Sequence, residues 1–230
     1  MNKLNSLDAP DTPGPHGMSA EAALLQLLHA RRTIRQFTDE LVSADTLNDL
    51  RNSMEFAPSA GNSRPWRVVD VSSGEDRAAF DLLFKSAERE FLDTLSNADV
   101  AKYRELSLGS ISNAPAQWAI CVENAPREGR GLGVITMPEA LVHSTVCAIH
   151  TLTLAAAVRG LGVSWNTTFR PEEVAERFGI PSTWRFVALI GIGRPAKTLS
   201  KPFFDDGDWQ RSGETPQVYN GFADVAGTRR

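Results

Sequence analysis

Hydrophobic residues recur along the chain in two alternating patterns. Apolar residues repeated every three or four positions predict amphipathic helices, whereas short runs rich in Val, Ile and Trp predict strands. The predicted helices cover 20–30, 44–56, 75–95, 98–108, 140–158 and 171–178. The predicted strands cover 65–72, 116–122, 161–168 and 185–192. This interleaving predicts an α/β or α+β sheet protein without internal repeats.

Local signals mark several helix ends. Ser19 and Ser43 stand where a hydroxyl can cap the first turn of a helix. Pro138 suits the first position of the long helix, because its missing N–H is not needed there. Gly160 and Gly179 suit the C-terminal ends of the two helices that precede them.

The long helix, 140–158, contains no Asp, Glu, Lys or Arg and approaches the ~20 residues that span a bilayer. It nevertheless contains polar residues: His143, Ser144, Thr145, His150, Thr151 and Thr153. Such a helix suits lipid poorly. We therefore expect a central buried helix, or one that packs against a second subunit.

Composition narrows the possible functions. The 230 residues carry a formal net charge of −4, which argues against a nucleic-acid-binding or membrane-binding basic face. Two cysteines, Cys121 and Cys147, make no disulfide framework, and both are expected to be buried thiols. Residues 1–17 are predicted to be a flexible leader without a signal peptide's apolar core, which favours a cytoplasmic protein. One domain is expected over 18–210, with a tail at 211–230.

Several common active-site motifs are absent from the sequence. Gly129, Gly131 and Gly133 follow a polar stretch rather than a strand, so they predict a loop and not a dinucleotide-binding turn. There is no phosphate-binding P-loop and no G-x-S-x-G elbow. His143 and His150 share a helical face but have no third ligand nearby in sequence, so no metal site is predicted.

Two segments carry candidate chemistry. Arg31, Arg32 and Arg35 surround Thr33, an arrangement that could clamp a phosphate or could form a solvated basic helix end. The segment 57–66 (APSAGNSRPW) could place amide and hydroxyl donors against the edge of a flat heterocycle, or could be an ordinary turn.

Together these segments resemble the flavin-binding nitroreductase family, whose pattern reads RRSIRxF followed by PSxxNxQPW. Here the matching residues are 31–37 (RRTIRQF), Pro58, Ser59 and 62–66 (NSRPW). Later segments are similar to the 5,6-dimethylbenzimidazole synthase branch: 103–108 (YRELSL), 113–115 (NAP), 144–149 (STVCAI) and 160–165 (GLGVSW). The resemblance covers about residues 20–210.

The resemblance implies an α+β fold, an α/β/α sandwich with a mostly antiparallel central sheet flanked by helices. It also implies an intertwined homodimer with FMN at its interface. Arg31, Arg32 and Thr33 would contact the phosphate and ribityl chain, and Arg35 the N1/O2 side of the ring, where a cation stabilises the reduced flavin. The remaining implied flavin contacts are Pro58, Ser59, Asn62, Leu108, Thr167 and Lys201, with Arg194 and Lys197 as alternatives to Lys201 for the phosphate.

Two implied catalytic positions differ from the synthase branch, which has aspartate in place of Thr33 and serine in place of Thr167. A threonine hydroxyl cannot act as a base near pH 7. We therefore expect an FMN-dependent oxidoreductase that transfers two electrons from NADH or NADPH to a nitroaromatic or quinone-like acceptor. Two alternatives stay open: 5,6-dimethylbenzimidazole synthase, which fragments reduced FMN with oxygen, and a non-catalytic flavin-binding protein.

Overall fold

A computed structural model describes residues 19–105 and 113–197 of the chain. These residues form six α-helices: α1 (Ala20–Ala30), α2 (Ala44–Ser53), α3 (Gly74–Asp93), α4 (Asn97–Glu105), α5 (Ala140–Val158) and α6 (Pro171–Phe178). The strands are β1 (Trp66–Asp70), β2 (Ala116–Glu123), β3 (Gly162–Asn166) and β4 (Trp184–Gly193). Each of these helices and strands overlaps a range that the hydrophobic pattern predicts. The leader 1–17 and the tail 211–230 lie outside the described residues.

The strands form one sheet in the order β1-β2-β4-β3, with every neighbouring pair antiparallel. Because side chains alternate across a strand, β2 contributes to two cores. Trp118 and Ile120 pack with α2 and α5 on one face, whereas Ala119 and Cys121 pack with α3 and α6 on the other. The predicted α+β sandwich with a mostly antiparallel central sheet is therefore confirmed.

Helix α5 forms the centre of the first core. Ala148, Ile149 and Leu152 are almost fully buried against the sheet. The helix is long and apolar enough to cross a membrane, by length and composition only. Its outward face, however, carries two exposed histidines, His143 and His150. A buried apolar face opposite an exposed polar one matches a core helix of a sheet protein.

Most of the helix ends that the sequence predicts are confirmed. Oγ of Ser19 accepts from Ala22 N–H at 3.2 Å, and Gly179 ends α6 with a left-handed φ of 61°. Gly160, at φ 69°, ends α5. The prediction for Pro138 was wrong: a hydrogen-bonded turn from Met137 to Ala140 comes first, so α5 begins two residues later. Helix α2 also ends three residues early, in the 3₁₀ turn Met54–Phe56.

Candidate functional site

A cavity of about 160 Å³ opens where α1 ends, beside the C-terminal end of α5. It is lined on its apolar side by Ile34, Ala157, Leu161 and Val163, and by Thr153, whose hydroxyl donates to Ile149 O at 2.8 Å within α5. Three cationic residues complete the wall: Arg31, Arg32 and Lys197. The cavity therefore joins a small apolar chamber to a cluster of positive charge.

Arg32 is only partly satisfied in this cavity. Its Nη1 donates to the carbonyl oxygen of Arg31 at 2.7 Å. Its Nε is buried and has no hydrogen-bond partner among the described residues. A buried donor of a charged group is unfavourable when it has no hydrogen-bond partner. An unpaired donor of this kind therefore favours binding of an acceptor. The phosphate-clamp interpretation of this arginine cluster thus gains a specific donor.

The segment 31–38, which we call the arginine arm, crosses one end of the sheet. Ile34 N–H donates to Val163 O at 3.0 Å on β3. Phe37 forms an antiparallel bridge with Pro195, which follows β4. The arm is therefore tied to two neighbouring strands and presents its arginines from a fixed backbone.

A pair of glycines makes room for the arm. Gly162 on β3 and Gly193 on β4 face each other in the sheet. A Cβ added at Gly162 would lie 2.9 Å from Cβ of Ile34, and one at Gly193 would lie 3.0 Å from Cδ1 of Phe37. Because real Cβ atoms rarely approach this closely, the two glycines allow the arm to pack directly on the sheet.

The arm places its other predicted residues differently from one another. Thr33 is exposed and bridges Val163 through its backbone. Arg35 is partly buried, and burial lowers the pKa of its guanidinium while Tyr103 of α4 opposes this shift. Burial and a hydrogen bond with Glu88 raise the pKa of Tyr103. Arg35 thus lies close enough to Tyr103 for the two side chains to affect each other's pKa.

Residues 57–64 of the second predicted segment, 57–66, precede β1 and lie at the other end of α5. Oγ of Ser144 accepts from Ala60 N–H at 3.0 Å. Oγ of Ser59 accepts from Arg64 N–H at 3.2 Å, which closes the loop on itself. Pro58 is exposed, and so is Asn62. We call this segment the amide loop.

The amide loop rests on a close contact between two backbones. A Cβ at Gly61 would lie 2.7 Å from Gly129 O, and one at Gly129 would lie 2.9 Å from Cβ of Ser63. Gly129 therefore belongs to a loop, as predicted, and this loop supports the amide loop. Glycine is required at both positions for the close approach and for their positive φ angles of 57° and 80°.

A single chain does not bring the two segments together. The amide loop bonds Ser144 in the first part of α5, whereas the cavity touches Thr153 and Ala157 near its end. At about 1.5 Å per residue, Ser144 and Ala157 are roughly 20 Å apart along the helix. None of the described lining residues of the cavity comes from the amide loop.

The other predicted site residues have different positions. Thr167 is exposed just after β3, and its carbonyl accepts from Phe169 N–H at 2.8 Å. Leu108 and Lys201 lie outside the described residues. Arg194 forms an ion pair with Glu40, its Nε donating at 2.6 Å and its Nη2 at 3.1 Å. Lys197 lines the cavity instead.

Sequence reasoning missed other residues that shape the site. Thr153 lies in the cavity wall but gives no signal beyond its place in an apolar helix. Asn113 accepts a hydrogen bond from Phe37 N–H of the arginine arm, and Arg77 donates to Ala114 O next to Asn113. Each bond joins residues far apart in sequence. The Asn-Ala-Pro triplet before β2 was visible, but its partner could not be deduced from spacing.

Comparison with known proteins gives a consistent result. The family model described as the nitroreductase family matches residues 28–194. A 5,6-dimethylbenzimidazole synthase of Rhodospirillum rubrum is 37% identical over 84% of this chain and 91% of its own length.

Two solved structures share the fold. Oxidized iodotyrosine deiodinase bound to FMN and 3-iodo-L-tyrosine matches with a TM-score of 0.68 and 22% identity, covering 86% of this chain and 100% of that one. A nitroreductase with bound FMN from Desulfitobacterium hafniense has a TM-score of 0.57 and 20% identity, over 77% of this chain and 90% of its own.

Proposed function

Because the chain belongs to the nitroreductase family, we propose that it is an FMN-dependent oxidoreductase acting on a small conjugated acceptor. The observation that carries this proposal is the cationic cavity lined by Arg31, Arg32 and Lys197, together with the buried Nε of Arg32, which has no hydrogen-bond partner among the described residues. A phosphate monoester supplies the several anionic acceptors that such donors need. The residues present therefore fit the phosphate end of FMN.

The cavity is too small for the whole cofactor. Its volume of about 160 Å³ lies below the ~300–1,000 Å³ typical of cofactor pockets. The remaining wall must come from elsewhere, and the amide loop of the same chain is roughly 20 Å away along α5. We assign that wall to the amide loop of a second copy.

The surface around α5 supports such a dimer. The described part of α1 buries none of its residues, and Leu24, Leu25 and Leu28 are 52%, 49% and 42% exposed. On α5, Val146 and Val158 are also exposed. A two-fold axis across this surface, which also carries the exposed His143 and His150, would set α5 helices antiparallel, bringing the loop end of one beside the cavity end of the other.

Each predicted residue then has a chemical task. Arg31, Arg32 and Lys197 would hold the phosphate. Arg35 would keep a positive charge near the ring, and Ser59 and Asn62 of the second copy would bond its polar edge. The hydroxyls of the exposed Thr33 and Thr167 would offer hydrogen bonds, but neither can remove a proton near pH 7.

FMN, when bound, would supply the redox chemistry, accepting hydride from NADH or NADPH and delivering two electrons to a nitroaromatic or quinone-like acceptor. The protein would contribute binding, orientation and a fixed electrostatic field. Since donor and acceptor would use the same open face in turn, ping-pong kinetics are expected.

A second candidate function is 5,6-dimethylbenzimidazole synthase. The 37% identity to the R. rubrum synthase over most of both chains favours it. The threonines at positions 33 and 167 count against it, because the branch has a carboxylate and a serine at these positions.

Oxygen separates the two functions. The protein is loaded with FMN, photoreduced without oxygen and then exposed to air, while the flavin absorbance and the products are followed. Full return of the oxidised FMN spectrum, together with acceptor-dependent NADH or NADPH oxidation, supports the oxidoreductase. Loss of flavin with formation of dimethylbenzimidazole supports the synthase. Clean reoxidation without any acceptor-dependent turnover indicates a flavin-binding protein that is not an enzyme.

A further inference from the structure

The side chain of Asn113 pairs with the backbone of a single distant residue. Its Oδ1 accepts from Phe37 N–H at 2.9 Å, and its Nδ2 donates to Phe37 O at 3.0 Å. The two residues are 76 positions apart in sequence. A carboxamide that bonds both backbone groups of one residue substitutes for a neighbouring strand.

The opposite edge of the arginine arm is already occupied. Thr38 N–H donates to Arg194 O at 2.9 Å, and Ala196 N–H donates to Gln36 O at 3.0 Å. In this antiparallel bridge the N–H and C=O of Phe37 point away from the 194–196 segment. Asn113 satisfies those two groups, so the arm is hydrogen-bonded along both edges.

Asn113 is itself held in place. Arg77 of α3 donates to Ala114 O at 2.8 Å, to Pro115 O at 2.7 Å and to Ser72 O at 2.8 Å. Ala114 is fully buried in a small cluster with Ile34 and Phe37 of the arm. The start of β2 is therefore a rigid base from which the Asn113 amide reaches the arm.

We infer that Asn113 is a positioning residue that sets the register and tilt of the arginine arm, so that Arg31, Arg32 and Arg35 address one bound FMN. This inference rests on the proposed function and deepens it. Asn113 acts through Phe37, two residues from Arg35, and touches none of the three arginines in any hydrogen bond recorded among the described residues.

The physical consequence of losing the amide is specific. Without it, the N–H and C=O of Phe37, a residue only 4% exposed, would lack their partners. Unsatisfied buried groups are unfavourable, so the arm would shift to reach water or new partners. Cation placement at the flavin would change even where the sheet stays folded.

The test compares Asn113→Ala, Asn113→Asp and the control Glu123→Ala. Glu123 lies at the opposite end of β2, roughly 23 Å from Ala116 at ~3.3 Å per residue, and accepts a hydrogen bond from Trp184 Nε1 at 2.6 Å. The control therefore loses a side-chain hydrogen bond of the same strand without touching the arm. For each full-length variant, one measures FMN affinity by fluorescence quenching, the flavin reduction potential and the thermal midpoint.

We expect Asn113→Ala to raise the FMN Kd by about tenfold, as for two lost hydrogen bonds, and to make the flavin potential more negative. Asn113→Asp keeps the acceptor for Phe37 N–H but sets a carboxylate oxygen against Phe37 O, where the donor was, so a Kd at least as high as that of Asn113→Ala is expected. Glu123→Ala is expected to lower the thermal midpoint while leaving Kd and potential at wild-type values.

Two outcomes overturn the inference. If wild type binds FMN and Asn113→Ala shows the same Kd and potential, Asn113 has only a structural role and the proposed function is unaffected. If wild type binds no FMN, the proposed function fails and the inference fails with it. Amide hydrogen exchange in flavin-free protein tells the loss of these hydrogen bonds apart from misfolding. Faster exchange of Phe37 N–H in Asn113→Ala, but not in Glu123→Ala, reports that the hydrogen bond to Asn113 is lost.

Discussion

Replacing Gly162 with alanine places a methyl group where Ile34 of the arginine arm now packs. The new Cβ would lie 2.9 Å from Cβ of Ile34 and 3.0 Å from Cγ of Pro195. Since carbon atoms in ordinary contact are ~3.5–4.0 Å apart, the arm must retreat by roughly 0.5–1 Å. Overpacking of this size destabilises by about 1–3 kcal/mol.

The same shift moves the backbone that carries Arg31, Arg32 and Arg35. We therefore expect Gly162→Ala to lower both the urea-derived free energy of unfolding and the affinity for FMN. Ile34→Ala alone, at a residue 7% exposed, should destabilise by about 2–4 kcal/mol through the cavity it leaves. The double variant should lose less than the sum by about 1 kcal/mol, because Ile34→Ala removes Cγ1 of Ile34, the atom nearest to the new methyl group, although the contact with Cβ of residue 34 remains.

Gly74→Ala is the matched control. No described heavy atom lies within 4 Å of a Cβ at Gly74, which is the first residue of α3. Alanine there should be neutral or stabilise by up to about 1 kcal/mol. Wild-type stability and FMN affinity in Gly162→Ala, or strict additivity with Ile34→Ala, would refute the close packing of the arm on the sheet.

Three further predictions follow from the site. Arg32→Ala should raise the FMN Kd by about 10–100-fold, as expected for charge-assisted hydrogen bonds, but leave the Kd of riboflavin, which has no phosphate, unchanged; titration of both flavins measures this. Gly129→Ala should weaken FMN binding because its methyl group displaces Ser63 and the amide loop. The secondary structure, measured by far-ultraviolet circular dichroism, should stay the same. Cys121 should resist iodoacetamide at pH 8, because burial raises the pKa of its thiol to about 11, and peptide mass spectrometry reads the labelling.

Each of these three predictions has a result that would contradict it. Arg185→Ala removes an exposed arginine from β4 and should leave both flavin affinities unchanged; equal loss of FMN and riboflavin binding in Arg32→Ala would argue against a phosphate contact. Unaltered FMN affinity in Gly129→Ala would separate its loop from the site. For Cys121, the raised pKa gives stability that is complete below pH 9 and is lost as pH rises to about 11; labelling as fast as in urea would contradict this burial.

Local structure was predictable from the sequence because its causes are local. Hydroxyl caps such as Ser19 and a left-handed glycine such as Gly179 lie within a few residues of the ends that they set. The order of the strands was not predictable from periodicity, because pairing joins segments far apart in sequence. The resemblance to a known family supplied the mostly antiparallel sheet, but the order of its strands came from the structure.

The site was predictable only as two separate segments. The arginine cluster and the amide loop are each contiguous, so motif spacing identified them. Separating Arg194 from Lys197 needed coordinates, since the ion pair between Arg194 and Glu40 is invisible in spacing, and Lys201 lies outside the described residues. The tether from Asn113 to Phe37 likewise depends on tertiary contact alone.

The most direct test of a flavin site shared between two copies is native mass spectrometry of a mixed pair. One copy carries Arg32→Ala in the arginine arm. The other carries Gly61→Ala in the amide loop, which would place a Cβ 2.7 Å from Gly129 O of the supporting loop. If each site takes its arm from one copy and its loop from the other, one site of the mixed pair has both lesions and the other has none. We predict one tightly bound FMN per mixed pair and only weakened FMN binding on a pair made of either variant alone. A mixed pair that binds no FMN, or a wild-type single chain that carries FMN by itself, would contradict the account.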